Sequence, residues 1–257
     1  MSFLTALRFL TIFHIPSGRV ETAEDMGRST MWFPVVGLII GGILALFNWI
    51  FSLFLPAEVT SALTIVLLVI VTGAMHLDGF VDTCDGLAGN KSAEERWKVM
   101  HDSRTGAFGV TGLILLLLVK FALLNNIPLE FVSPILVVMT VIGRWAMVCA
   151  IAMYPYARNE GLGKAFKDGV TRTRLVIATL ITLGLSIVLA WWANLDYYYI
   201  VGFGIMIVIG LMVIAVSAYF RSKFSGLTGD TYGAINELAE IGVLLIGSIA
   251  CFNGWLL

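Results

Sequence analysis

Phe131–Met153 reads FVSPILVVMTVIGRWAMVCAIAM, a run whose one charged residue is Arg144. As an α-helix rising 1.5 Å per residue it crosses the roughly 30 Å hydrocarbon core of a bilayer. Working outward, six further apolar stretches cover 32–55, 59–75, 108–124, 175–193, 200–220 and 235–257. Seven transmembrane helices are the expectation, with six or eight as neighbouring counts because the 59–75 and 108–124 runs are short. The fold class that follows is all-α: a polytopic integral membrane protein forming a single membrane-embedded domain over residues 1–257.

Composition agrees. Hydrophobic residues make up 59% of the 257-residue chain, only 13% are charged, and mean hydropathy is +0.93. Soluble domains carry about 25% charged residues. The net charge of −1 gives no global attraction to nucleic acid. Cys84, Cys149 and Cys251 are far apart and lack paired spacing, so they read as free thiols, not as a disulfide framework or a metal site.

Lysine and arginine set the orientation. Arg8, Arg19 and Arg28 precede the first span. Lys91, Arg96, Lys98 and Arg104 lie in the 76–107 connection, Arg158, Lys164, Lys167, Arg172 and Arg174 in 154–174, and Arg221 and Lys223 in 221–234. The connections near 56–58, 125–130 and 194–199 contain none. Seven spans put every basic segment on one side, the expected cytoplasmic face. The opening MSFLTALRFLTIFHI has a thin basic region and no small-residue cleavage site before Pro16. It reads as an interfacial helix and not as a signal peptide. No internal repeat or low-complexity tract is visible.

Chemistry-bearing residues concentrate at that basic side. In His76-Leu-Asp-Gly-Phe-Val-Asp-Thr-Cys-Asp-Gly86, Asp78, Asp82 and Asp85 stand at i, i+4 and i+7. On a helix continuing from the second span they share a stripe roughly 60° wide. Three carboxylates so placed repel unless a cation intervenes, and hard oxygen ligands completed by phosphate and water suit magnesium. A solvated acidic helix end, capped at Gly86, is the structural alternative. Glu94–Met100 reads as an amphipathic surface helix. Beyond it, Asp102 offers a fourth carboxylate and Arg104 a phosphate clamp, or both simply mark a polar re-entry turn. Arg158, Lys164 and Lys167 have the character of diphosphate contacts, and equally that of positive-inside residues.

Three charged positions fall inside apolar runs, where they are expensive and usually face a cavity or a partner. Glu237 and Glu240 share a face of the last span. Arg144 calls for a substrate phosphate or a buried partner, an acidic residue of the last span among them. Lys120, toward the outer end of the third span, is expected to snorkel to the interface.

Taken together, His76–Gly86, Met100-His-Asp-Ser-Arg-Thr-Gly106, Tyr156-Ala-Arg-Asn-Glu-Gly-Leu-Gly163 and Gly229-Asp-Thr-Tyr-Gly233 resemble the cobalamin synthase family, in the family's order and over nearly the whole chain. Tyr232 stands where an aliphatic residue is expected. The resemblance implies a magnesium-dependent transferase that joins adenosylcobinamide-GDP to α-ribazole or its 5′-phosphate and releases GMP. For that chemistry the residues themselves offer Asp82, Asp85 and Asp102 as metal ligands and Asp78 as a further ligand or the base. Arg104 then acts at the diphosphate, and His76, Arg144, Arg158, Lys164, Asp230 and Glu237 bind substrate. Asp82-Thr-Cys-Asp-Gly86 is also similar to the Asp-x-x-Asp-Gly core of CDP-alcohol phosphotransferases, an analogy in chemistry because that family's complete signature is absent. A transporter, another magnesium enzyme acting on diphosphates, and a passive corrinoid binder are the rival classes. The first is disfavoured because the acids cluster at one interface and no repeat is present.

Overall fold

The computed structural model describes residues 2–16, 18, 20–193 and 197–255. Arg19, the 194–196 part of one outer connection and the last two residues of the seventh apolar stretch lie outside them. Among the described residues the chain is helical with no strand. The only β-type pairing among them is a single parallel bridge between Tyr156 and Leu227.

The helices are α1 (Ser2–Leu10), α2 (Ala23–Ser29), α3 (Phe33–Ser52), α4 (Ala57–Thr72), α5 (Met75–Leu87), α6 (Ala93–Met100), α7 (Ala107–Asn125), α8 (Leu129–Met153), α9 (Leu162–Gly169), α10 (Arg172–Trp192), α11 (Tyr198–Phe224) and α12 (Gly229–Phe252). Among the described residues six helical segments are long and apolar enough to cross a bilayer. A seventh results if α4 and α5 form one broken span, the two being bent by 92°. α8 is the axis of the bundle. It is largely apolar and buried along most of its length, as befits a helix enclosed by others, and packs against α3, α10, α11 and α12. Where α3 crosses α8, the Thr140 hydroxyl donates to the Gly37 carbonyl at 2.7 Å.

The continuous helix expected from the second span into the aspartate stripe is broken. Gly73 caps α4 at φ 62°, and Ala74 follows at φ 58°. Glycine takes this left-handed conformation freely, whereas alanine does so at a cost of roughly 1–2 kcal/mol. The chain therefore turns sharply, and α5 leaves α4 to run alongside α12.

The basic segments gather at one end, as expected. The Trp97 indole N–H on α6 donates to the Phe224 carbonyl at 3.1 Å, Arg158 reaches His101, and Arg174 pairs with Glu24. The 154–174 connection is not irregular throughout. It contains α9, which packs on α2 and buries Phe166 against Phe9 and Phe33.

Lys120 does not snorkel. It is 2% exposed and donates to Glu237 at 2.7 Å and to Glu240 at 2.5 Å. Arg144, fully buried, pairs with the other oxygen of Glu240, which also accepts from the Asn236 amide at 3.1 Å. Two cations and two carboxylates thus neutralise one another where α7, α8 and α12 meet. Burial without such pairing would cost several kcal/mol per charge.

Candidate active site

The site is built where α5 lies against the start of α12. A Cβ on Gly79 would come within 2.7 Å of the Asp230 carbonyl oxygen, so only glycine allows this approach. It brings Asp78 and Asp82, one turn apart on α5, beside Asp230. The start of α12 is fixed by a reciprocal cap. The Thr231 N–H donates to the Thr228 hydroxyl oxygen at 3.2 Å, and the Thr228 N–H to the Thr231 hydroxyl oxygen at 2.8 Å. The Thr228 hydroxyl also contacts Asp230 Oδ2 at 3.3 Å. Half-buried Asp82 consequently sits in the field of three carboxylates, Asp230, Asp78 and Asp85, opposed by Arg158.

Arg158 faces this acidic group. Its Nη1 lies 2.6 Å from His101 Nε2, and its Nη2 lies 3.6 Å from Asp230 Oδ2, an ion pair too long for a hydrogen bond. Nε and Nη2 are buried and without a hydrogen-bond partner. They form the edge of a guanidinium that grips phosphate through two parallel bonds.

Other sequence-nominated residues stand elsewhere or are already engaged. Asp85 accepts from the Gly106 N–H at 2.7 Å and the Gly109 N–H at 2.8 Å, one to each oxygen. It anchors the start of α7, where a negative charge complements the helix dipole. Asp102 and Arg104 close on each other in an exposed turn, with Arg104 Nε at 3.0 Å and Nη2 at 2.8 Å from the two oxygens. That pairing, led by the side-chain hydrogen bonds, holds the Asp102 carboxyl well below its ordinary value, at about 2. Lys164 is paired with Asp168 on the next turn of α9 at 2.5 Å, and Lys167 donates to the Ile151 and Ala152 carbonyls at the end of α8. Arg144 and Glu237 belong to the buried network rather than to the carboxylate group. His76, 2% exposed, lies between that network and Asp78, with neither ring nitrogen hydrogen-bonded.

Two participants escaped the sequence reading. His101 pairs with Arg158 across distant segments, and no local spacing signals it. Buried Arg96 donates to the carbonyls of Gly86 at 2.6 Å, Gly89 at 3.0 Å and Lys91 at 3.1 Å, fixing the turn after α5. Its sequence signal was only that of one more basic residue at the inner face.

Among the described residues no group of three or more His, Cys, Asp or Glu forms a ready metal cage. Magnesium does not require one, since it is commonly held by one or two carboxylates completed by substrate phosphate and water. Asp78 and Asp82 supply hard oxygens of that kind.

Residues 2–248 match the family model described as cobalamin-5-phosphate synthase. The chain belongs to this family. Curated relatives named adenosylcobinamide-GDP ribazoletransferase include those of Geotalea daltonii, 37% identical over 95% of each chain, and Syntrophobacter fumaroxidans, 37% identical over 97% of this chain and 98% of its own. That of Desulfitobacterium hafniense is 36% identical over 93% of each chain. No solved structure matches. Membership agrees with the resemblance carried by the four charged segments, and it identifies the chain as an enzyme of cobalamin synthesis.

Proposed function

We propose that the protein joins adenosylcobinamide-GDP to α-ribazole, or to its 5′-phosphate, with release of GMP. The observation that carries this reading is the Nε–Nη2 edge of Arg158, which makes no hydrogen bond and is ion-paired to Asp230 at 3.6 Å, beside Asp82. An acidic group suited to a cation, opposite a guanidinium fork with no hydrogen bond on that edge, is the arrangement that a diphosphate completes.

A ribose hydroxyl of the acceptor attacks the phosphorus bonded to the cobinamide oxygen. The bond from that phosphorus to the oxygen bridging the two phosphates breaks, and GMP leaves with its electron pair. Asp78, exposed at the mouth of the site, takes the hydroxyl proton. Arg158 holds diphosphate oxygens and offsets the charge that grows on the leaving phosphate, and His101 steadies its guanidinium. Asp82 would hold magnesium, which when bound neutralises diphosphate charge and orients its oxygens. Asp230 keeps Arg158 beside α5, and Asp85 maintains the packing of α7 on α5. Arg104 and Lys164 are drawn in only if the anion displaces their present partners, Asp102 and Asp168.

The bacterial inner membrane, with the site open to the cytoplasm, is part of the same proposal. It is supported by the meeting of all the basic segments at the end of the bundle that carries Asp78 and Asp82. The test is reconstitution: purified protein, adenosylcobinamide-GDP, α-ribazole and magnesium, with GMP and corrinoid product measured together. Stoichiometric appearance of both is expected. Nucleoside-independent GMP release, or corrinoid retention without GMP, would refute the transferase reading.

A further inference from the structure

Beside the carboxylates a cavity of about 170 Å³ opens between α1, α5, α8, α9 and α12. Its walls are largely apolar, with Met147, Ile151, Phe166 and Leu162 among them. Two of its polar side chains are deeply buried, His76 and Tyr232, which are 2% and 3% exposed. Both His76 ring nitrogens and the Tyr232 hydroxyl lack any hydrogen-bond partner. Buried polar atoms are rarely left so, and a group here is a reason to look for a ligand. Asp78 and Asp230 also line the cavity, so its occupant adjoins the proposed reaction centre.

We infer that this cavity receives the flat, apolar base of the acceptor nucleoside, a site that rests on the transferase reading above. An apolar cavity of about 150 Å³ accommodates benzene. The present one therefore encloses one ring of an aromatic system, whose sugar-bearing part stays at the open mouth. A corrin is far too large. Guanine presents several polar edge groups, and this lining would leave most of them unsatisfied, at the expense of affinity. The ribazole base is a methylated benzimidazole with one unsubstituted ring nitrogen, an acceptor. Its sparse polarity matches a lining with two possible donors, an imidazole N–H and a phenol O–H. Seated there, the base directs its ribose toward Asp78 and Asp230, where the hydroxyl must lose its proton. The cavity thereby acts as a specificity pocket as well as a positioning device.

The variants Tyr232→Phe, His76→Phe and Leu162→Trp test this in the full-length protein in nanodiscs. Steady-state kinetics supply separate KM values for nucleoside and donor, and thermal shifts with the nucleoside alone report binding apart from turnover. Leu162→Trp, at the half-exposed rim, and at least one of the two polar variants should raise the nucleoside KM about tenfold or more. The donor KM should stay unchanged and the stabilisation by nucleoside should be lost. Tyr232→Phe removes an unsatisfied hydroxyl and should leave the free protein at least as heat-stable as the parent. A nucleoside KM within about twofold of the parent in all three variants would overturn the assignment. So would a selective rise in donor KM, or release of bound phospholipid with nucleoside affinity intact. A parent protein that releases no GMP with nucleoside present would instead sink the transferase reading.

Discussion

Replacing Lys120 with methionine tests the most demanding feature of the bundle. The ammonium is 2% exposed and lies 2.7 Å from Glu237 and 2.5 Å from Glu240. Its loss leaves Glu237 with only the Asn236 amide, at 3.4 Å, and leaves two carboxylates sharing one arginine. Breaking a buried pair in this way costs about 3–5 kcal/mol. At about 2–4 °C of Tm per kcal/mol for a chain of this size, thermal unfolding in detergent should fall by roughly 6–20 °C. The double variant Lys120→Met/Glu237→Gln removes one charge of each sign and should recover most of that loss. A snorkelling lysine would give a change below about 0.5 kcal/mol, as surface substitutions do. A Tm within about 2 °C of the parent, or a double variant no better than the single, would refute the reasoning.

Other consequences concern the site. Arg158→Ala should raise the KM for adenosylcobinamide-GDP by about 10- to 150-fold, the loss of a charge-assisted hydrogen bond worth about 1.5–3 kcal/mol, and Arg158→Lys should recover little because it lacks the fork. Gly79→Ala sets a methyl 2.7 Å from the Asp230 carbonyl oxygen. The α5–α12 contact must open, costing about 1–3 kcal/mol of stability and most of the activity, measured as Tm and GMP release. Asp85→Asn keeps the shape but offers an N–H where the Gly106 and Gly109 N–H groups need acceptors. It should loosen α7, seen as faster amide hydrogen exchange at 106–110. The Asp102 carboxyl should remain ionised as the pH falls until about 2, so its pairing with Arg104 is complete above the ordinary value of 3.8 and is lost through about 2. Carboxyl NMR should show Arg104→Gln returning it toward 3.8.

The spans were legible because a bilayer demands long apolar runs, and the basic residues fixed which ends meet. Asp78 and Asp82 were legible as a pair because helical periodicity alone puts i and i+4 on one face. The break before them was not, since Gly73 is an ordinary helix ending whereas Ala74 has no sequence signature for a left-handed backbone. Asp85 looked equivalent to its neighbours, and its partners, the N–H groups of Gly106 and Gly109, are created only when α7 docks. Hydropathy placed Lys120 by depth and could not say which face of α7 it occupies. Its inward direction follows from Glu237 and Glu240, more than a hundred residues away in sequence. Arg158 was one of several basic residues with the same local signal. Only the fold separates it, with two guanidinium nitrogens that make no hydrogen bond, from Lys164, which Asp168 already satisfies.

The most direct measurement is GMP release by Asp82→Asn across a magnesium titration, with membrane insertion and Tm checked alongside. If Asp82 holds the cation against the diphosphate that Arg158 grips, turnover should fall by about 100-fold or more at every magnesium concentration, with a normally inserted, folded protein. Parent-like turnover with an unchanged magnesium dependence would contradict it.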